Sequence, residues 1–223
     1  MDLKRLLSLS ISLALTPMAV SFSPVTYSQS ATTISAGGFS NSLYEKARSA
    51  YDSGDVNEAV IHVKNALKQD SNNLPARLLF GQILLEYGEL AAAEDQYRVA
   101  LSLNVDKSLV ILPLAQSLLL QSKFSNILED VEIGPYPRDI NTLVYIYRAK
   151  AQSGLASFDE AKFNYEQALN LDEGNIDALL GLSTIAKKQN DTIKAKQYLT
   201  QAKALAPNEP YVAFFRASNS VTN

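Results

Sequence analysis

The 223 residues are 47% hydrophobic and carry a net charge of −3, which suits a packed domain or a short repeat array and excludes a wholly disordered chain. The acidic balance argues against a nucleic-acid-binding protein, zero Cys excludes disulfides and thiolate chemistry, and a single His excludes a multi-histidine metal site. We therefore expect no enzyme, no cofactor, no metal and no nucleic-acid partner.

The first segment, residues 1–21, has the composition of a secretory signal peptide. Lys4 and Arg5 give a positive start, and residues 6–20 form a mostly apolar run. That run is shorter than the roughly 20 residues that a membrane-spanning helix needs. Cleavage is expected after Ser21 or after Ser30, and an uncleaved amphipathic anchor is the alternative. We expect an exported protein with no transmembrane helix in the mature chain, followed by a flexible Ser/Thr-rich linker at residues 22–40.

Small residues recur every 34 positions from residue 40 onward. Two series, seven places apart, are Ala59, Ala93, Ile127, Ala161, Ala195 and Ala66, Ala100, Gly134, Ala168, Ala202. Between them stand bulkier residues, which are Val63, Tyr97, Val131, Tyr165 and Leu199. Earlier in each unit come a small and a turn-tolerant position, which are Ala47, Gly81, Ala115, Ala149, Ser183 and Gly54, Gly88, Ser122, Ala156, Asn190. The register holds over five units, so a repeat array is expected.

This period and spacing resemble the tetratricopeptide repeat, whose pattern Phe80-Gly81, Leu84, Ala93, Tyr97 and Pro207 match in turn. The resemblance implies an all-α fold, a right-handed α-solenoid of five helix pairs plus a C-terminal capping helix. The domain is expected at residues 41–219. The repeats are expected at about 40–73, 74–107, 108–141, 142–175 and 176–209.

The periodicity also predicts each helix. First helices are expected near 41–53, 74–87, 107–121, 139–153 and 175–188, and second helices near 56–69, 90–103, 124–132, 158–171 and 191–205. A capping helix is expected at 211–217, where Phe214 and Phe215 would cover the last repeat. Pro135 and Pro137 predict a short second helix in the third unit, and the early Gly154 predicts a longer or looser turn in the fourth.

A protein-binding groove is expected along the first helix of each pair. Stepping along that face selects Tyr44, Arg48, Tyr51, Leu78, Gln82, Leu85, Leu112, Gln116, Leu119, Ile146, Lys150 and Lys187. The groove would be aromatic and leucine-rich at its start and lysine-bearing at its end, with Lys188 nearby. A peptide or helix would lie on the apolar strip with its acidic end toward the lysines. In the alternative interpretation, the leucines are ordinary packing residues in a shifted register.

No set of residues predicts catalysis. His62 is alone and reads as a packing residue, because a catalytic histidine needs an oriented partner. The pairs Glu129-Asp130 and Asp159-Glu160 are adjacent in helices, where neighbours do not face each other. Asp159 and Glu160 are instead expected to favour the start of their helix.

A closer resemblance lies in residues 55–81 and in the run Leu112-Pro113-Leu114-Ala115-Gln116 to Phe124. These stretches are similar to the tetratricopeptide protein of PEP-CTERM/exosortase exopolysaccharide systems, over roughly residues 43–207. The resemblance implies a periplasmic or envelope-associated protein of a Gram-negative bacterium. It also implies a role beside polysaccharide production and surface protein sorting.

The first functional hypothesis is therefore a non-catalytic envelope scaffold that binds a protein partner in its groove. The alternative is a polysaccharide-binding or structural envelope module. In that case Tyr44, Tyr51 and Tyr136 would form an aromatic patch for sugars.

Overall fold

The computed structural model describes residues 38–103 and 105–206, and this part of the chain contains ten α-helices and no strand. The helices are α1 Gly38–Asp52, α2 Val56–Gln69, α3 Leu74–Glu86, α4 Leu90–Ser102, α5 Ile111–Leu120, α6 Phe124–Asp130, α7 Arg138–Gly154, α8 Phe158–Leu171, α9 Ile176–Lys188 and α10 Thr192–Leu205. The predicted all-α solenoid of five helix pairs is confirmed. The signal peptide, the capping helix at 211–217 and most of the linker lie outside the described residues.

Each helix pair is joined by a three-residue turn with one residue in the left-handed region. These residues stand 34 positions apart, and their φ values are 85° at Gly54, 78° at Gly88, 56° at Ser122, 60° at Ala156 and 62° at Asn190. A left-handed residue after the first helix reverses the chain, so that the second helix packs back antiparallel. Glycine adopts this conformation without strain, which explains its use in the first two turns.

The small positions of the repeat are buried where the helices of a pair approach closely. Ala47, Ala115 and Ala149 on first helices are fully buried, as are Ala59 and Ala93 on second helices. A Cβ on Gly81 would lie 2.7 Å from Cε1 of Tyr97, so the tyrosine ring occupies the space that glycine leaves. Small and bulky residues therefore interlock at a fixed place in the repeat, which is the origin of the 34-residue pattern.

Short polar side chains begin several of the helices. The carboxylate or amide oxygen of Asp55, Asn73, Asn175 and Asp191 accepts a hydrogen bond from a backbone amide three residues later. Each bond satisfies a first-turn donor that has no partner within its helix. The caps recur at the starts of α2, α3, α9 and α10, and so they fix helix starts near the predicted boundaries.

The two helices of the third unit are shorter than those of the other units. This was predicted for α6 but not for α5. Helix α6 has only seven residues, which confirms the short second helix before Pro135 and Pro137. Helix α5 begins at Ile111, after a single 3-10 turn at Lys107–Leu109, and not at residue 107. Pro113 explains this correction. It is tolerated in the first turn of a helix, whereas a start at 107 would place it in the interior.

Two further boundaries are corrected. The turn of the fourth unit spans residues 155–157 and is no longer than the others, so of the predicted longer or looser turn the greater length is wrong. Helix α7 continues through Gly154, and Ala156 takes the left-handed conformation at the usual place in the period. Helix α1 begins at Gly38, inside the predicted linker 22–40, because no proline or other breaker separates Gly38 from the helix that follows.

Candidate binding groove

The first helices of the five pairs, α1, α3, α5, α7 and α9, form the face on which the groove was predicted. Helix α1 contacts α3, α5 contacts α7, and α7 contacts α9. Eleven of the twelve predicted groove residues are exposed or half-buried, which are Tyr44, Arg48, Tyr51, Leu78, Gln82, Leu85, Leu112, Gln116, Leu119, Lys150 and Lys187. We call the surface formed by these eleven residues the first-helix face.

At the start of this face, a polar network joins α1 to α3. The Tyr51 hydroxyl donates to Glu86 Oε1 at 2.6 Å, and Gln82 Nε2 donates to the Tyr51 oxygen at 2.7 Å and to Glu86 Oε1 at 3.1 Å. Burial and the bond to Glu86 raise the pKa of Tyr51, so the phenol stays protonated and donates. Arg48 bonds Asp52 at 3.0 Å and lies 5.9 Å from the centre of the Tyr51 ring.

The middle of the face is apolar. Leu78, Leu85, Leu112 and Leu119 are half-buried and pack against the core of the second and third units. Each leucine therefore contributes to folding and also shows part of its surface. The two sequence interpretations, groove lining and core packing, describe two sides of the same side chains.

Leu120 was missed by the sequence analysis. It is the last residue of α5, 56% of it is exposed, and it adjoins Leu119. Leu120 stands 34 residues after Glu86, but only the structure shows that this repeat position lies on the same side as Tyr51. The predicted groove residues of α5 end at Leu119, one position before Leu120.

At the end of the face, one predicted residue, Ile146, needs correction. Ile146 is 2% exposed and packs with Leu182 and Ile185 of α9, so it belongs to the core and does not line an open surface. Lys150 Nζ lies 2.6 Å from Asp177 Oδ2 on α9, so its charge is already compensated. Lys187 is half-buried and Lys188 is exposed.

The predicted aromatic patch is not assembled. Tyr44 and Tyr51 pack against the core of the first two units, whereas Tyr136 packs against the core of the second and third units beside Gly134. The three rings therefore belong to two separate clusters and cannot stack on one sugar.

The residues considered for chemistry have structural partners. His62 is half-buried, with Nε2 at 3.3 Å from Glu58 Oε1 one helical turn away. Asp159 and Glu160 lie in the first turn of α8, as expected. Within residues 38–103 and 105–206, no three His, Asp or Glu side chains gather closely enough to hold a metal ion.

None of the helices described is long and apolar enough to cross a membrane.

Comparison with protein families gives a match over two stretches of the chain. The sequence profile of the tetratricopeptide repeat family matches residues 50–110 and 155–218, which together exceed half of the chain. None of the curated proteins matches the sequence.

Solved structures share this fold. Residues 41 to the end of MamA from Desulfovibrio magneticus RS-1 align over 78% of this chain and 98% of that one, at 15% identity and a TM-score of 0.68. A tetratricopeptide repeat protein from Parabacteroides merdae aligns over 82% and 72%, at 18% identity and a TM-score of 0.69. YrrB, described as a TPR protein with an unusual peptide-binding site, aligns over 81% and 98%, at 18% identity and a TM-score of 0.62.

Proposed function

The chain belongs to the tetratricopeptide repeat family, and we propose that it is a non-catalytic scaffold that holds a segment of a partner protein on its first-helix face. Proteins of this family generally mediate protein–protein interactions, and their fold is typically non-catalytic. The peptide-binding site attributed to YrrB supports the same kind of use here.

One observation favours this face over the rest of the surface. Leu85 of α3 and Leu119 and Leu120 of α5 all show apolar surface, on helices that lie between the α1–α3 and α7–α9 polar links, and we call these three leucines the apolar strip. Several apolar residues grouped between polar ones are typical of a protein-binding surface, whereas isolated exposed apolar residues are common on any protein. An amphipathic helix or an apolar peptide would bury this strip.

The test compares two variants that add the same charge at two equally exposed sites. Leu120→Glu places a carboxylate on the strip, and Ile61→Glu places one on α2, where Ile61 is 59% exposed against 56% for Leu120. Each variant is used to capture cross-linked partners from cells of the native host, and circular dichroism checks its fold. We expect wild type and Ile61→Glu to retain the same partner and Leu120→Glu to lose it.

Two outcomes would contradict the proposal. Equal recovery by all three proteins would place the binding surface elsewhere, and the absence of any captured protein would argue against a scaffold. Leu120 is preferred to Leu85 or Leu119 for this test because those two leucines also pack against the core, and a charge there endangers folding.

We further propose that the partner belongs to an exopolysaccharide or surface-protein export system of a Gram-negative envelope. The support is the signal-like composition of residues 1–21 and the resemblance of residues 43–207 to the corresponding family. The same capture experiment tests this context, because recovery of a cytoplasmic partner from the native host would contradict it.

A further inference from the structure

Neighbouring units of the array are joined in two ways. Each second helix packs against the first helix of the next unit, as α2 on α3, α4 on α5, α6 on α7 and α8 on α9. First helices also pack against each other, as α1 on α3, α5 on α7 and α7 on α9. Within residues 38–103 and 105–206, α3 and α5 are not among the pairs in close contact. The junction of the second and third units therefore depends on the α4–α5 contact.

Polar links between first helices show the same difference. Tyr51 of α1 donates to Glu86 of α3 at 2.6 Å, and Lys150 of α7 donates to Asp177 of α9 at 2.6 Å. The side chains of α3 and α5 make their hydrogen bonds elsewhere, and in the described part of the chain none joins these two helices. The groove side of this junction therefore lacks the polar link that the first and last junctions have.

The sequence of the third unit explains the missing contact. Helix α5 has ten residues, whereas α3 and α9 have 13 and α7 has 17. The 3-10 turn Lys107–Leu109 stands in the place of the first turn of α3, because Pro113 is best tolerated in the first turn of a helix. A shorter helix offers fewer side chains to its neighbour. The family profile also leaves residues 111–154 unmatched, so this unit departs from the repeat pattern in its sequence as well.

The second-helix side of the same junction is tied by charges. Arg98 of α4 bonds Asp130 of α6 at 2.7 Å. Glu94 of α4 accepts from Lys123 at 2.7 Å and from Gln121 at 2.9 Å, at the turn between α5 and α6. Glu94 is only 7% exposed, so its bonds are stronger than they would be in water. The junction is thus fastened along one side and loose along the other, which is the arrangement of a hinge.

We propose that the array bends at this junction. Helix α3 moves relative to α5 about the α4–α5 contact, while the bonds of Glu94 and Arg98 keep the second-helix side fixed. Such hinge and shear motions shift packed helices by about 1–2 Å. Leu85, Leu119 and Leu120 lie on the two helices that move, so bending changes the width of the apolar strip. That consequence rests on the proposed function, whereas the motion itself does not.

The experiment measures distances between pairs of spin labels in the free full chain by double electron–electron resonance. Because the sequence has no Cys, two substitutions to Cys define each labelled pair. Three pairs of exposed residues, each 68 residues or two repeat steps apart, carry the labels, and they are Tyr87 with Leu155, Leu120 with Lys188, and Asp95 with Phe163. The first pair lies at the ends of first helices and crosses the hinge. The second lies at the same ends beyond the hinge, and the third crosses it on the second-helix side.

We expect the distance distribution of the first pair to be wider than that of the second by at least about 2 Å, because the hinge adds a shift of that order. The third pair should be as narrow as the second. Equal widths for the first two pairs would overturn the hinge, and so would a wide third pair, because the second-helix side would then not be the fixed one. Circular dichroism checks that each labelled variant is folded. Since the free chain is measured, failure of the hinge leaves the capture test of the proposed function unaffected, and the reverse holds too.

Discussion

At two places in the core, a tyrosine ring packs directly against a glycine of a neighbouring helix. Tyr97 on α4 occupies the place of a side chain at Gly81 on α3, and Tyr165 on α8 does the same at Gly181 on α9. Both rings are nearly fully buried, at 2% and 4% exposure. Burial raises the pKa of Tyr165, so its ring enters the core as a neutral phenol. A single methyl group at either glycine is therefore enough to disturb two helices at once.

We expect Gly81→Ala to destabilise the protein by about 1–3 kcal/mol, because the new Cβ would lie 2.7 Å from the Tyr97 ring and force it to move. Gly174→Ala is the control, since the nearest atom to its Cβ would be 3.7 Å away in an exposed turn. Denaturant unfolding measures both. A Gly81→Ala protein as stable as wild type would show that the ring has room to shift.

Helix α6, the shortest of the ten, is held by its neighbours rather than by its own length. Arg148 of α7 donates from Nη1 to the carbonyl oxygens of Leu128 at 3.0 Å and Val131 at 2.9 Å, which satisfies the end of α6. On the α4 side, Arg98 joins Glu94 at 2.8 Å to Asp130 at 2.7 Å. Two arginines thus integrate a seven-residue helix that would be unstable alone.

Glu94 lies at the centre of the contact that Arg98 makes, and its ionisation predicts that the stability of the fold depends on pH. It is 7% exposed and accepts bonds from Lys123 at 2.7 Å and from Gln121 at 2.9 Å as well as from Arg98. Burial opposes its ionisation, but hydrogen bonds from Lys123, Arg98 and Gln121 hold its pKa below the usual value. A carboxylate with a lowered pKa stabilises the fold above its unfolded pKa of about 4.3, and the contribution disappears as the pH falls through the folded value.

Accordingly, Glu94→Gln should cost about 1–3 kcal/mol of unfolding free energy near neutral pH. That difference from wild type should shrink as the pH falls below about 4. Urea unfolding at several pH values measures it, with Glu129→Gln on the exposed side of α6 as the control. A difference that stays constant down to the lowest pH would show that Glu94 acts through shape and not through its charge.

At the scale of the molecule, the first and last helix pairs of the described residues differ from the inner pairs at the positions where neighbouring repeats pack. Val56, Leu90, Phe124 and Phe158 begin the first four second helices, but Thr192 begins α10. Lys203 likewise replaces Leu67, Leu101 and Leu169. At the other end, Lys46 and Ser49 of α1 stand where α3 has Phe80 and Ile83. Polar outer faces are what terminal repeats need, because they prevent end-to-end stacking.

We expect the chain to remain monomeric as its concentration rises, and the variant Thr192→Phe with Lys203→Leu to self-associate. These changes give α10 the apolar residues by which inner repeats stack. Sedimentation equilibrium over a range of concentrations measures the mass of both proteins, and Thr192→Ser with Lys203→Arg serves as the control. A wild type that already associates would mean that the polar ends do not stop stacking.

The sequence by itself determined the helix pairs, their number and nearly all their boundaries. Each unit repeats the same three positions: a small residue where two helices pack closely, a bulky residue beside it, and a left-handed residue in the turn. Because the positions recur in five units, the period is detectable in the sequence. Where a local feature was unusual, as with Pro113 or Gly154, the neighbours decided whether it ended a helix. The helix could continue through Gly154 because Phe124 fills the vacant space.

Only the tertiary structure decided which side chains remain open. Ile146 was assigned to the open face and Leu120 was left out of it, because exposure depends on how each helix is rotated against its neighbours, which a single period does not fix. The polar contacts between first helices were also out of reach of the sequence, since Tyr51 bonds Glu86 and Lys150 bonds Asp177 across separations of 35 and 27 residues. Such contacts form only when separate units are stacked, and they decide which charges of the first helices remain available to a partner.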